Sequence, residues 1–189
     1  MLRDLILRNR SRRRFYEEEA ISRETLRELV DLARLSASTS NKQPLKYILS
    51  NTPERNAQIF QTLAWAGYLA DWGGPVEGER PAAYIIMLCD REISEDPGFD
   101  PGIAAQSIML GATERGLGGC IIGSIKRVPL RRTLQIPERY KIVLVLALGK
   151  PREEVVIDPV GPESDIRYWR DETGVHHVPK RPLDEIILD

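Results

Sequence analysis

Residues 8–19 read RNRSRRRFYEEE, five arginines in seven positions followed by three glutamates. A guanidinium is planar, always charged, and presents a fork of donors that matches two phosphate oxygens at once. Such a run can grip nucleic acid, address a chain to a nucleus, or hold a single phosphate group. Two further polar islands accompany it. SASTSNKQP (36–44) is rich in amide and hydroxyl groups, and PKRP (179–182) is again cationic. Amide side chains offer donor and acceptor together, which suits a heterocycle whose edge alternates C=O with N–H. A ligand using all three islands would carry a phosphate at one end and a flat polar ring at the other.

Composition narrows the choice. The 189 residues suit one domain, or one domain that completes its core by pairing. A net charge of −1 makes the arginine run a local feature. Nucleic-acid binding calls for a broader excess of Lys and Arg, so no nucleic-acid partner is expected. Cys89 and Cys120 are the only cysteines, each inside an apolar stretch and without metal-ligand spacing. They read as buried, reduced thiols. MLRDLILRNR is too short and too charged for a signal peptide, and no apolar run reaches membrane-span length. A soluble, cytoplasmic protein with no membrane partner is expected.

The elements that must position the polar islands follow from periodicity. Leu2, Leu5 and Ile6 predict a short helix running into the arginines. Ser22 as N-cap and Glu24 in the first turn open an amphipathic helix over 23–35. LKYILS (45–50) reads as a strand and 54–70 as a helix, with Trp65, Tyr68 and Trp72 on one stripe of core or dimer contact. AAYIIMLCD (82–90) predicts a strand covered on both faces. Residues 100–118, with Asp100 as N-cap and Pro101 in the first turn, are apolar nearly all round and predict a buried central helix. CIIGS (120–124) and KIVLVLALG (141–149) read as two more strands, and the end of the chain as an extended tail that includes His176 and His177. Helices of unequal length between strands, without regular βαβ alternation, indicate an α+β fold. No GxGxxG follows a strand and no GxxxxGK[ST] is present.

Four blocks then occur in order: R-S-x-R-x-F from Arg10, S-x-x-N-x-Q-P from Ser38, GIAAQSIMLGATERGLGGCIIG in the middle, and PKRPLDEII at the end. In these the sequence resembles the nitroreductase family of FMN-dependent flavoproteins. The resemblance implies a single domain over 1–189 with a C-terminal extension at 170–189. Its central, mostly antiparallel sheet would be flanked by helices in an intertwined homodimer holding FMN at the subunit interface. It further implies ping-pong hydride transfer from NADH or NADPH, through flavin N5, to an electron-poor small molecule such as a nitroaromatic or quinone. The alternatives are a flavin-binding sensor or storage protein without turnover, or a specialised flavin dehydrogenase or dehalogenase of the same fold.

Carried over residue by residue, Arg10 and Ser11 would meet the FMN phosphate or ribityl end. Arg13 would stand at the pyrimidine edge, favouring the negative charge that two-electron reduction leaves there. Ser38, Asn41 and Gln43 would hydrogen-bond the ring edge or ribityl hydroxyls, in this subunit or its partner. Ile122 and Gly123 would pass their backbone near N5, and Lys180 and Arg181 would clamp the phosphate. Arg12 and Arg14 fall on positions the family varies and are expected at the surface, paired with Glu17 to Glu19. Two positions depart from the family's pattern: Leu45 follows Gln-Pro where Trp is frequent, and Asn9 stands where a further Arg often precedes Arg-Ser. No side chain is expected as a general acid, because the flavin carries the chemistry.

Overall fold

The apolar run at 83–90 organises the molecule. Ala83–Asp90 (β3) is buried at every position, as a strand must be when neighbours flank it and helices cover both faces. The computed structural model, which describes residues 1–160 and 165–188, pairs it antiparallel with Leu45–Ser50 (β2) and with Tyr140–Pro151 (β5). β5 also carries Gly118–Ile122 (β4) and the two-residue Phe15–Tyr16 (β1), both antiparallel. Leu146 and Leu148 pair with β3 on one side and β4 on the other, so β2 and β4 lie on opposite sides of the β3–β5 pair. The antiparallel expectation holds for the described pairs of this sheet.

Side chains alternate across β3 with the period of a strand. Ile85 and Met87 face Arg23–Arg34 (α2) and Asp100–Glu114 (α4), where Leu26, Leu29, Ala105, Ile108 and Ala112 complete one core. Tyr84, Ile86 and Leu88 face the second core, shared with Ile59 of Pro53–Phe60 (α3), Ile122 of β4 and Leu130 of Arg127–Leu134 (α5). The expected cap of α2 is present: Thr25 N donates to Ser22 Oγ at 3.0 Å. Leu2–Arg8 (α1) forms as expected but has no buried residue.

Three local expectations need correction. The helix expected over 54–70 stops at Phe60. Thr62 Oγ1 turns back to Ile59 O at 2.7 Å, Leu63 bridges to Ile125, and Ala66 takes φ +37°, so the chain leaves the helix before the aromatic stripe. Trp65 is buried against Phe60, Tyr68 is exposed, and Trp72 lies beneath Arg170. Asp100 does not cap its own helix; its carboxylate accepts from Ser38 Oγ at 2.5 Å and Thr39 N at 2.8 Å. The tail is not bare. Val155–Pro159 (β6) runs parallel to His176–Lys180 (β8), which pairs antiparallel with Trp169–Arg170 (β7), before a last turn of helix at Leu183–Ile186 (α6). The domain over 1–189 and the extension over 170–189 include residues 161–164 and 189, which lie outside the described residues. Among the described residues no helix is long and apolar enough to cross a membrane.

Candidate functional site

After α1 the chain extends at Asn9 and runs beside β4. Ser11 bridges to Gly119 in parallel, and Arg12 N donates to Gly119 O at 2.8 Å. Close approach needs the glycine pair. A Cβ at Gly118 would meet Pro151 Cγ at 2.8 Å and Arg12 Cγ at 3.0 Å, and one at Gly119 would strike the Ala147 carbonyl. The arginines are therefore sorted by strand geometry.

Arg10 Nη2 donates to Ile6 O at 2.8 Å. Arg12 reaches the Glu153 carbonyl, and Arg14 makes two hydrogen bonds to Glu79, each 2.6 Å. Pairing of Arg12 and Arg14 with Glu17 to Glu19 at the surface is thereby corrected: both are at least half-buried, with partners far along the chain. Hydrogen bonds from Arg14 hold the Glu79 carboxyl below its ordinary range. Glu153 is the hub of this segment. Its buried carboxylate accepts from the Arg13 amide, from the Arg14 amide at 3.3 Å and from Arg170 Nη2 at 3.1 Å.

Arg13 is different. It is 8% exposed, yet among the described residues no carboxylate lies within ion-pair distance of its guanidinium. Nη1 contacts His176 Nε2 at 3.2 Å, and the guanidinium carbon sits 4.9 Å above the Tyr168 ring. Arginine only donates, so His176 Nε2 accepts and the ring proton resides on Nδ1, which has no partner. Burial, reinforced by Arg13 and Arg170, pushes the His176 imidazole down to about 4. Burial also pushes the Cys120 thiol up, although Arg13 acts in the other direction.

Two cavities meet at Arg13 and Tyr168. One, of about 310 Å³, is lined by Arg10, Ser11, Arg13, His176 and Lys180 among others. The other, of about 150 Å³, lies between Trp65, Cys120, Ile122 and Gly123. Arg10 and His176, which line the first, and Trp65, which lines the second, each carry a buried N–H donor without a partner among the described residues: Arg10 Nε, His176 Nδ1 and Trp65 Nε1. A Cβ at Gly123 would meet no atom within 4 Å, so its backbone borders open space. An acceptor-rich anion with a flat body fits this donor set.

The structure thus brings Arg10, Ser11, Arg13 and Lys180 together, with Ile122 and Gly123 in the adjoining cavity. It does not bring Ser38, Asn41 or Gln43 to them. These lie before β2, across the sheet from β4, and Ser38 and Gln43 line a separate cavity of about 220 Å³. There Ser38 Oγ accepts from Gln43 N at 2.9 Å, and Gln43 Nε2 donates to Asn41 Oδ1 at 3.1 Å. Ser40, Asn41 and Gln43 all take φ +52°, a left-handed conformation that costs a non-glycine residue about 1 kcal/mol or more. Burial would raise Asp100 beneath this loop, but the hydrogen bonds from Ser38 and Thr39 outweigh it and hold the carboxyl low. Arg181 is ion-paired with Glu185 within the final turn. Glu153, Tyr168 and His176 are the residues that sequence reasoning missed; what ties them to the arginine run and to Tyr68 are contacts 100 or more positions away, beyond any local pattern.

The two tail histidines titrate in opposite senses. His177 is stacked on Trp169 and bridges Asp158 (2.8 Å) and Asp171 (3.3 Å). Burial lowers its affinity for a proton, but the two carboxylates outweigh burial and raise it. Its contribution to the tail sheet is full below the unfolded value of about 6.5 and is lost as pH rises through the higher folded value. His176, held down to about 4, destabilises the fold as pH drops from about 6.5 towards 4. Hydrogen exchange of the β8 amides, corrected for intrinsic base catalysis, is expected to lose protection as pH rises above about 6.5. His177→Gln should abolish that alkaline loss, and an unchanged profile would remove His177 as its cause. Among the described residues no cluster of three His, Cys, Asp or Glu could hold a metal ion.

Comparison with known proteins identifies the family and the fold. Residues 6–150 match the nitroreductase family. An Archaeoglobus fulgidus protein provisionally named NADH dehydrogenase/NAD(P)H nitroreductase is 26% identical over 149 residues, 75% of this chain and 80% of its own length. The nitroreductase family protein of Streptococcus pneumoniae TIGR4 shares the fold with a TM-score of 0.71 at 16% identity, over 100% of both chains. The NADPH:FMN oxidoreductase of Vibrio harveyi, solved with NAD+, shares it with a TM-score of 0.66 at 22% identity, over 98% of this chain and 75% of its own. Since the family match takes in the arginine run, the central sheet and both walls of the cavity beside β4, the chain belongs to the nitroreductase family and has the fold of its FMN-dependent flavoproteins.

Proposed function

We propose that this nitroreductase-family oxidoreductase holds FMN in the two cavities that meet at Arg13 and works as a homodimer. Arg13 carries the reading. A buried cation among neutral partners lacks the anion that burial of a charge requires. Residues lining the cavities on either side of it carry buried donors without acceptors. A phosphate among Arg10, Ser11 and Lys180, and a ring with carbonyl edges beside Arg13, Ile122 and Gly123, would satisfy them. When bound, FMN supplies the hydride chemistry, accepting from NADH or NADPH and donating to an electron-poor molecule such as a nitroaromatic or quinone. Arg13 stabilises negative charge at the ring edge, Trp65 walls off water, and the bare Gly123 backbone admits the ring. Arg181 would exchange Glu185 for phosphate.

Ser38, Asn41 and Gln43 join this site only if a second copy brings them, because in one chain they sit across the sheet. The exposed Leu2, Ile6 and Leu7 of α1 and Leu183 and Ile186 of α6 provide apolar surface for such pairing. Sedimentation at twice the chain mass of 21.4 kDa is the expected result, and a monomer would leave the second loop outside the site. Arg10→Ala is expected to weaken FMN binding about tenfold or more, since a hydrogen bond to a charged group contributes roughly 1.5–3 kcal/mol. Fluorescence titration of FMN, with circular dichroism as the check on folding, measures this. Equal affinity in the variant would take Arg10 out of the site.

A further inference from the structure

Arg14 and Arg170 are held by carboxylates and Arg10 and Arg12 by backbone carbonyls, whereas the buried Arg13 guanidinium meets an imidazole and an aromatic face. Arg14 faces Glu79 and Arg170 faces Glu153. Glu153 comes close enough to accept the Arg13 amide, yet its other oxygen goes to Arg170 and not to the Arg13 guanidinium. What meets that guanidinium is the His176 ring, 1% exposed, and the face of Tyr168, 5.2 Å from the His176 ring centre. A buried N–H needs an acceptor. A carboxylate at His176 would supply one and cancel the charge; an imidazole nitrogen supplies one and leaves the charge whole. Both groups come from the tail: Tyr168 immediately precedes β7, and His176 opens β8.

We propose that His176 is a positioning residue which holds Arg13 as an unneutralised cation beside the bound flavin, so that strand β8 sets the electron affinity of the cofactor. The proposal rests on the flavin reading above and assigns that site its tuning element. The ring makes no covalent bond and moves no proton; it orients a guanidinium. Its chemistry therefore predicts that acceptor capacity and charge at position 176 govern the preference for reduced over oxidised FMN.

The experiment is a paired titration of oxidised and dithionite-reduced FMN with wild-type protein, His176→Glu, His176→Gln and His176→Leu. Thermal melting of each variant monitors the fold. His176→Glu places an anion against Arg13 and is expected to lose about tenfold of the preference for reduced FMN, which is a fall of about 30 mV for a two-electron couple. His176→Gln keeps a neutral acceptor and should stay within about threefold of wild type, roughly 0.7 kcal/mol. If His176→Glu does not fold, His176→Leu decides. Removal of the acceptor frees Arg13 and should also reduce the preference, with Gln as the rescue. The proposal is overturned if Glu and Leu leave the preference at the wild-type value, or if Gln shifts it as far as Glu. Wild-type protein that binds neither form of FMN would overturn the flavin reading itself. Binding with a preference indifferent to position 176 would overturn only the positioning role.

Discussion

Arg13→Ala is expected to lower the midpoint potential of bound FMN by roughly 40–90 mV. A unit charge acting on another across a partly buried site, at an effective dielectric near 20, contributes about 2–4 kcal/mol. For a two-electron couple each 1.4 kcal/mol is about 30 mV. The effect should be large because Arg13 is 8% exposed and no carboxylate among the described residues lies within ion-pair distance of its guanidinium. The free protein should respond the other way. A buried cation without an anion is costly, so Arg13→Met should leave unliganded protein as resistant to urea as wild type, or more so. Redox titration with a reference dye reads the first effect and urea unfolding the second. An unshifted potential would show that the guanidinium is remote from the flavin ring.

Glu153→Ala is expected to cost about 3–5 kcal/mol of folding stability, the range for removing one partner of a buried charge pair. The Glu153 side chain is 1% exposed, and it serves Arg170 and the amides of Arg13 and Arg14. Its removal leaves a partly buried guanidinium and two amides without acceptors. The same carboxylate ties the arginine run to the segment between β5 and β6, so the cavity lined by Arg10, Ser11 and Lys180 should open with it. Urea midpoints measure the loss. A change below about 1 kcal/mol, ordinary for an exposed pair, would show that water replaces the carboxylate and that the hub does not hold the site together.

Much of the framework was legible because it is written locally. LKYILS, AAYIIMLCD and KIVLVLALG are short runs rich in apolar β-formers, and they occupy β2, β3 and β5. Ser22 announced α2 through a cap, and the apolar surround of 100–118 announced a buried helix, which as α4 ends at Glu114. The aromatic stripe at Trp65, Tyr68 and Trp72 imitated a helix face, but spacing alone does not reveal that Ala66 turns left-handed and that glycines follow. The tail strands escaped notice because β7 has two residues and β8 contains Pro179, each a weak strand signal. The arginine run was legible as an anion site, and Arg10, Ser11, Arg13 and Lys180 do converge. What separates Arg13 from Arg12 and Arg14 was not legible. That difference resides in Glu79, Glu153 and His176, at sequence separations of 65, 140 and 163.

An anaerobic visible spectrum of FMN-loaded protein, recorded before and after NADH and then NADPH, tests the central claim most directly. The flavin reading predicts a yellow protein whose absorbance bleaches rapidly with at least one nucleotide and returns when an acceptor such as a quinone is added. Protein that takes up no FMN, or bound flavin that stays yellow with both nucleotides, would contradict it.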